Sequence, residues 1–157
     1  MTDDATTDET DTYFDSVEVG EVTTTENRTI TEADIVNFAG VSGDFNHLHM
    51  DKTRMEESGF GQRIAHGMLV FSVATGLLWQ SRSPEEREAV VAFYGIDELR
   101  FRQPVFVGDT VHVEMEVTQK REKPDHPVAN GVLHLDAEIL NQHDEPVITC
   151  EFLSLVK

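Results

Sequence analysis

Between Gly67 and Trp79 the chain is apolar on nearly every side of a helical wheel. Met68, Leu69, Val70, Phe71, Val73, Ala74, Leu77, Leu78 and Trp79 are interrupted only by Ser72, Thr75 and Gly76. A helix with no polar face has to be enclosed by the rest of its domain. The run is too short to cross a bilayer, so no membrane partner is expected. The enclosing material must come from elsewhere in the chain, and the sequence after this helix supplies it.

Thr110 to Thr118 alternates, with Val111, Val113, Met115 and Val117 on one face and His112, Glu114 and Glu116 on the other. Leu133, Leu135, Ala137 and Ile139 alternate with His134, Asp136 and Glu138, and Val147 to Val156 reads as a last strand. Val90 to Tyr94 and Glu98 to Gln103 read as two further strand segments, the second leading through Pro104 to a turn at Gly108-Asp109. Period-2 alternation over consecutive segments predicts an antiparallel sheet with one solvated face. A sheet with one apolar face and a helix with no polar one answer each other's need. The expected fold is therefore α+β of the hot-dog kind, an antiparallel sheet wrapped around a long apolar helix. An uncovered sheet edge predicts a homodimer, or a higher oligomer of dimers.

The length of 157 residues predicts one domain. Residues 1–12 are almost entirely Thr, Asp and Glu and are expected to form a disordered acidic leader, leaving 13–157 as a single domain. Thirty acidic residues against twelve basic ones give a net charge of −18, which repels phosphate backbones and excludes a nucleic-acid partner. The acids run along the whole chain, a pattern that points to adaptation to high salt, where screening relieves self-repulsion. Cys150 is the only cysteine, so no intrachain disulfide forms, and its place in a strand predicts a buried thiol. No basic segment followed by an apolar stretch opens the chain, so a cytoplasmic protein is expected. Ser81 to Glu88 is charged, carries Pro84 and reads as a surface excursion.

The chemistry gathers ahead of the apolar helix. Thr31-Glu32-Ala33-Asp34 has the form of a helix N-cap with an acid three residues on, Ile35, Phe38 and Ala39 follow at helical spacing, and Gly43 ends the helix. Asp44 to Asp51, D-F-N-H-L-H-M-D, then falls on the loop beyond it, with a carboxylate, an amide and two imidazoles close together. Seventeen positions past His49, His66-Gly67-Met68 opens the apolar helix. A carboxylate and an imidazole beside a helix N-terminus can move a proton and hold a developing oxyanion.

The compound signature F-A-G-V-S-G-D-F-N-H-L-H-M-D, then I-A-H-G-M-L, then P-V-F-V-G-D resembles the hydratase motif of the MaoC-like family, the R-specific enoyl-CoA hydratases. The similarity runs from Thr31 to the C-terminus. It implies a hot-dog dimer that adds water to trans-2-enoyl-CoA, giving (R)-3-hydroxyacyl-CoA, with no metal or other cofactor. Asp44 and His49 match the catalytic dyad, with Asp44 as the base and His49 donating toward the α-carbon. Asn46 matches an amide that orders the site, and Gly67 the residue whose backbone N–H receives the thioester oxygen. Thr75 falls where relatives carry a serine that hydrogen-bonds the catalytic Asp. His66 is expected to orient or pack beneath the helix start, and Ile64, Met68 and Phe71 to line the acyl pocket. Relatives read Asn-Pro where this chain has Asn46-His47, which adds a titratable ring and frees the backbone.

Other readings remain open at this point. A thioesterase on the same fold would aim water at the thioester carbon, and a non-catalytic acyl-CoA-binding subunit would keep the dyad as structure alone. His47-Leu48-His49-Met50-Asp51 also resembles a zinc-ligand run, but Lys52 follows where a histidine is needed and no second ligand cluster comes later. His112, His126, His134 and His143 read as solvated. Arg63, Arg100, Arg102 and Lys120 are the candidate bases for the CoA phosphates. Chain-length preference and pathway, whether polyhydroxyalkanoate supply or fatty-acid metabolism, are not written in these patterns.

Overall fold

The computed structural model describes residues 11–157. Residues 1–10 of the expected leader lie outside the described residues, and Thr12, at its end, caps the short helix α1 (Tyr13–Ser16). Thr12 and Asp15 form a reciprocal capping box, and the Phe14 N–H donates to the Lys157 carbonyl at 2.8 Å, tying the two ends of the domain together.

Six strands follow in the chain: β1 (Val22–Thr24), β2 (Arg28–Thr29), β3 (Val90–Phe101), β4 (Thr110–Glu122), β5 (Gly131–Leu140) and β6 (Pro146–Val156). All pairings are antiparallel, in the order β1-β4-β5-β6-β3, with β2 beside β4. The register sets Val113, Ile139 and Ile148 abreast, and likewise Val117, Leu135 and Phe152. These inward residues share one buried cluster with Leu69, Val70, Phe71, Val73, Ala74, Leu77 and Leu78 of α5 (Gly67–Ser81). The enclosure demanded by the apolar run is therefore met by β4 to β6, and the fold is the expected hot-dog. Each large aliphatic side chain so buried stabilises the domain by about 1.5–3 kcal/mol. Among the described residues, no helix is long and apolar enough to cross a membrane.

The segments expected as Val90–Tyr94 and Glu98–Gln103 are one strand. Its register shifts three times, and Glu98 takes a positive φ of 52° at the last shift, between Asp97 and Arg100. The polar Asp97-Glu98 pair reads as a break in sequence because the irregularity is absorbed in the ladder. The excursion after Ser81 contains a helix, α6 (Pro84–Ala89), with Pro84 in its first turn and a Ser83–Glu86 capping box.

On the outer face the sheet is polar, but not all its histidines are solvated. His134 is half-buried, and its Nδ1 meets Glu151 Oε1 directly. His112 is half-buried, and His126 Nδ1 accepts from the Val128 and Ala129 N–H groups, closing the turn between β4 and β5. His143 is exposed as expected. The interior Cys150 thiol is buried as expected, and burial pushes its pKa up to about 11.

Candidate active site

Helix α2 (Glu32–Ser42) is fixed at its start by the Thr31–Asp34 capping box and by an Arg28–Asp34 ion pair at 2.7 Å. It ends at Gly43, whose φ of 76° lies where a side chain is strained and glycine is not. That left-handed residue turns the chain sharply, so Asp44 starts a new direction across the N-terminus of α5.

The motif is not a plain loop. Asp44 Oδ1 accepts the Asn46 N–H at 3.1 Å, and Asn46 Oδ1 in turn accepts the Leu48 N–H at 3.0 Å as N-cap of α3 (His47–Met50). Asp51 then caps α4 (Lys52–Glu56). Two Asx-type bonds in series thus orient both members of the dyad. Asn46 orders the motif through its cap and does not itself line the cavity. His47 sits at the first helical position, where proline is favoured but a free N–H costs nothing, because that donor has no intrahelical acceptor in any case. The Asn46 cap holds the turn without the proline.

Opposite α3 runs the segment 57–66. The Ile64 N–H donates to the Leu48 carbonyl at 3.0 Å and the Ala65 N–H to Val105 at 2.7 Å, while Arg63 grips Glu32 through both guanidinium nitrogens. The Ile64 carbonyl is thereby aimed at His49 Nδ1, 2.7 Å away. A carbonyl only accepts, so Nδ1 carries the hydrogen and Nε2 of the neutral ring presents its lone pair. That lone pair lies on the side of Asp44 Oδ2, at 3.7 Å. The gap is too long for a direct hydrogen bond and fits two groups that share a third molecule. His49 is buried, and burial first, then the neighbouring His66, lower its pKa from the ordinary imidazole value, against the opposing pull of the Ile64 bond and Asp44. Asp44 keeps half of its side chain exposed.

Helix α5 begins beside this pair. Gly67 is its first residue, so its N–H has no carbonyl of a preceding turn to bond, and the helix dipole stands behind it. A Cβ on Gly67 would stand 2.5 Å from Cε1 of Phe101, so glycine is what lets the ring pack against the start of the helix. Asp44, His49, Ile64, His66, Gly67 and Met68 all line one cavity of about 580 Å³. Phe38, Phe60, Phe101, Arg102 and Gln103 complete its walls. Sequence reasoning missed the three aromatic rings, which come together only in the folded chain; the one local hint was a phenylalanine placed just before Arg102 and Pro104.

Thr75 and Phe71 lie outside this cavity. Thr75 donates to the Ser72 carbonyl at 2.7 Å, a bond within its own helix, and makes no contact with Asp44 in this chain. It sits eight residues beyond Gly67, roughly 12 Å along the helix axis. Phe71 is buried and stacks on Phe152. Both line a second, largely apolar cavity of about 660 Å³, which shares Met68 with the first. Of the candidate CoA bases, Lys120 donates to the Asp15 and Val17 carbonyls, Arg63 is committed to Glu32, and Arg100 donates to the Leu99 carbonyl. Only Arg102 reaches the cavity of the dyad.

Asp44, His49 and His66 bring donor atoms within 4.8 Å of one another. The two rings, however, stack face to face, with centroids 3.7 Å apart and planes 26° apart. A metal ion needs lone pairs that converge in the planes of both rings, which a face-to-face stack disfavours. The set suits proton transfer better than chelation.

The chain is similar to known proteins over most of its described length. Residues 15–138 match the family described as MaoC like domain. The chain is 40% identical over 114 residues to an (R)-specific enoyl-CoA hydratase of Aeromonas caviae, covering 73% of this chain and 79% of that protein. It is 43% identical over 111 residues to protein MaoC of Klebsiella aerogenes, covering 71% of this chain but only 32% of the other, so it spans about a third of that relative's length. Among solved structures, that of a monoamine oxidase regulatory protein from Archaeoglobus fulgius superposes with a TM-score of 0.83 at 38% identity, over 92% of this chain and 93% of that one.

Proposed function

This chain belongs to the MaoC-like family of hydratases and dehydratases, and from that premise we propose that it adds water reversibly to trans-2-enoyl-CoA to give (R)-3-hydroxyacyl-CoA. The observation that carries the reading is the convergence of Asp44, His49 and the Gly67 N–H on one cavity. These are a carboxylate, an accepting imidazole nitrogen and a free amide donor. Hydration of an enoyl thioester needs one group to take a proton from water, one to hold that water, and one to stabilise enolate charge on the thioester oxygen.

The Ile64 carbonyl beside His49 Nδ1 supports the following order of steps. Water lies between Asp44 Oδ2 and His49 Nε2. His49 takes one of its protons at Nε2 as the oxygen bonds to the β-carbon, and the π electrons move to the thioester oxygen, held by the Gly67 N–H. His49 then returns that proton from Nε2 to the α-carbon, and the carbonyl reforms. Asp44 holds the second hydrogen of the water and offsets the transient imidazolium charge. This makes His49 the base of the first step, a role that the family resemblance assigns to Asp44.

The apolar cavity beyond Met68 is suited to the acyl chain, with Phe71, Leu78 and Phe152 on its walls and Thr75 at its side. Arg102, on the wall of the dyad cavity, is the base best situated for the CoA moiety. The acidic surface supports a salt-adapted enzyme for a register reason. Glu116, Asp136, Glu151 and Asp97 stand directly opposite one another on β4, β5, β6 and β3. Like charges so opposed destabilise a sheet, and at about 1 M salt the screening length of about 3 Å falls below the roughly 5 Å between facing Cβ atoms. A homodimer through β3 completes the reading: among the described residues that strand pairs only with β6, and Phe93, Tyr94 and Phe101 along it are exposed.

The test is to incubate the protein with crotonyl-CoA in molar KCl and follow enone absorbance together with free thiol. Loss of absorbance without thiol supports hydration. Thiol release would replace the reading with hydrolysis, and no change in either would leave acyl-CoA binding alone.

A further inference from the structure

His66 is used by neither step above, yet it touches both members of the dyad. Its Nε2 lies 2.9 Å from the backbone carbonyl of Asp44, so Nε2 carries the hydrogen and donates it. Its ring stacks on that of His49 and packs at 5.0 Å from Phe38 on α2. It is buried to 3% exposure, and Nδ1 has no hydrogen-bond partner. An unpartnered nitrogen in a closed site is costly, and packing alone would be met better by an apolar ring. The one bond the imidazole does make goes to the residue whose side chain faces His49 across the cavity.

We propose that His66 is the positioning residue of the site: with one ring it holds the Asp44 backbone by a hydrogen bond and the His49 imidazole by a stack, fixing the gap across which water is clamped. The inference rests on the hydration reading for its catalytic consequence, but the arrangement itself can be read without substrate. Asp44 leaves the left-handed turn at Gly43 with half of its side chain in solvent, and the bond from His66 is the contact that ties its backbone to the helix bearing Gly67. His49 is fixed at one edge by Ile64 and on one face by His66. The charged and titratable groups facing His49 are Asp44 across the gap, His47 on its own helix, His66 in the stack and Arg102 on the cavity wall. Of these only His66 is in contact with the ring face.

Two variants separate the two contacts. His66→Gln keeps a donor near the Nε2 position and loses the stack, whereas His66→Phe keeps the stacked ring and loses the donor. Each is expected to lower kcat for crotonyl-CoA hydration about tenfold, with KM within about twofold, because the water and the dyad fall out of register while the acyl and CoA contacts stay. The readout that packing alone would not move is the way the two variants divide in the NMR spectrum of the His49 ring in the unliganded protein: the ring-proton shifts set by the stack should change in His66→Gln and stay near those of the unaltered chain in His66→Phe, while kcat falls in both. An unchanged kcat in either variant, or a fall in kcat that only follows a lower melting temperature, would overturn the proposal. If the unaltered protein fails to hydrate crotonyl-CoA while the His49 ring signals still divide the variants in this way, the positioning role stands and the proposed reaction falls.

Discussion

Asp44 and His49 stand 3.7 Å apart across an open cavity, whereas Glu151 and His134 meet directly on the outer face of the sheet. Each pair is a carboxylate and an imidazole. In the first pair each partner is anchored by something else: His49 by the Ile64 carbonyl, Asp44 through one oxygen to the Asn46 N–H and through its backbone to His66. The free oxygen and free nitrogen are thus held near each other without touching. In the second pair the carboxylate and the ring meet directly, so there is no gap between them for a third molecule. What separates a site from a stitch here is the set of second contacts that stops the pair from closing.

The largest effect that tests this contrast is loss of either member of the open pair. Asp44→Asn and His49→Ala should each cut the hydration rate at least about 100-fold, with far-UV circular dichroism unchanged. The pH dependence sharpens it next. His49 works as the neutral ring and its pKa is lowered, mainly by burial, so activity should hold as pH falls to the ordinary imidazole value of 6.5 and decline only below it. A profile of kcat/KM whose acid-side decline already sets in above pH 6.5 would remove His49 from the base role. Gly67→Ala keeps the N–H but drives the Phe101 ring aside, and a fall of about tenfold in kcat is expected with little change in melting temperature. Asp136→Asn breaks the row of opposed carboxylates, and thermal unfolding in a KCl series should reach its plateau at lower salt than in the unaltered protein. Smallest is His134→Gln in the closed pair, which should leave turnover unchanged and cost under about 1 kcal/mol in a urea titration.

How much of this was legible in the sequence followed from how local each signal is. The Thr31–Asp34 capping box, the stop at Gly43, the apolar character of α5 and the alternation of β4 to β6 depend on residues within a few positions, and the structure reproduces them. The four-residue helix α3 is too short to carry a period, so its sequence has the pattern of a loop. β3 has the pattern of two pieces, because an irregular ladder tolerates Asp97-Glu98 inside a strand and the tolerance comes from pairing with β6. In the site, Asp44, His49 and Gly67 were identified by motif and lie together, but the tautomer of His49 depends on a carbonyl fifteen residues away and was not readable. Thr75 marks the limit of transferring a residue by resemblance: its place in the motif matched, while its hydroxyl bonds within its own helix. The walls made by Phe101 and Gln103 arise from the end of β3 arriving over α5, a tertiary event with no local trace.

The central claim is that the open pair and the Gly67 amide hydrate an enoyl thioester. The direct measurement is single-turnover hydration of crotonyl-CoA in deuterated water at molar KCl, with the product analysed for configuration and deuterium at the α-carbon. The account predicts loss of enone absorbance without thiol release, the (R)-3-hydroxy product and one deuterium at the α-carbon, all abolished in Asp44→Asn. Thiol release in place of hydration, an (S) product, or full turnover in Asp44→Asn would contradict it.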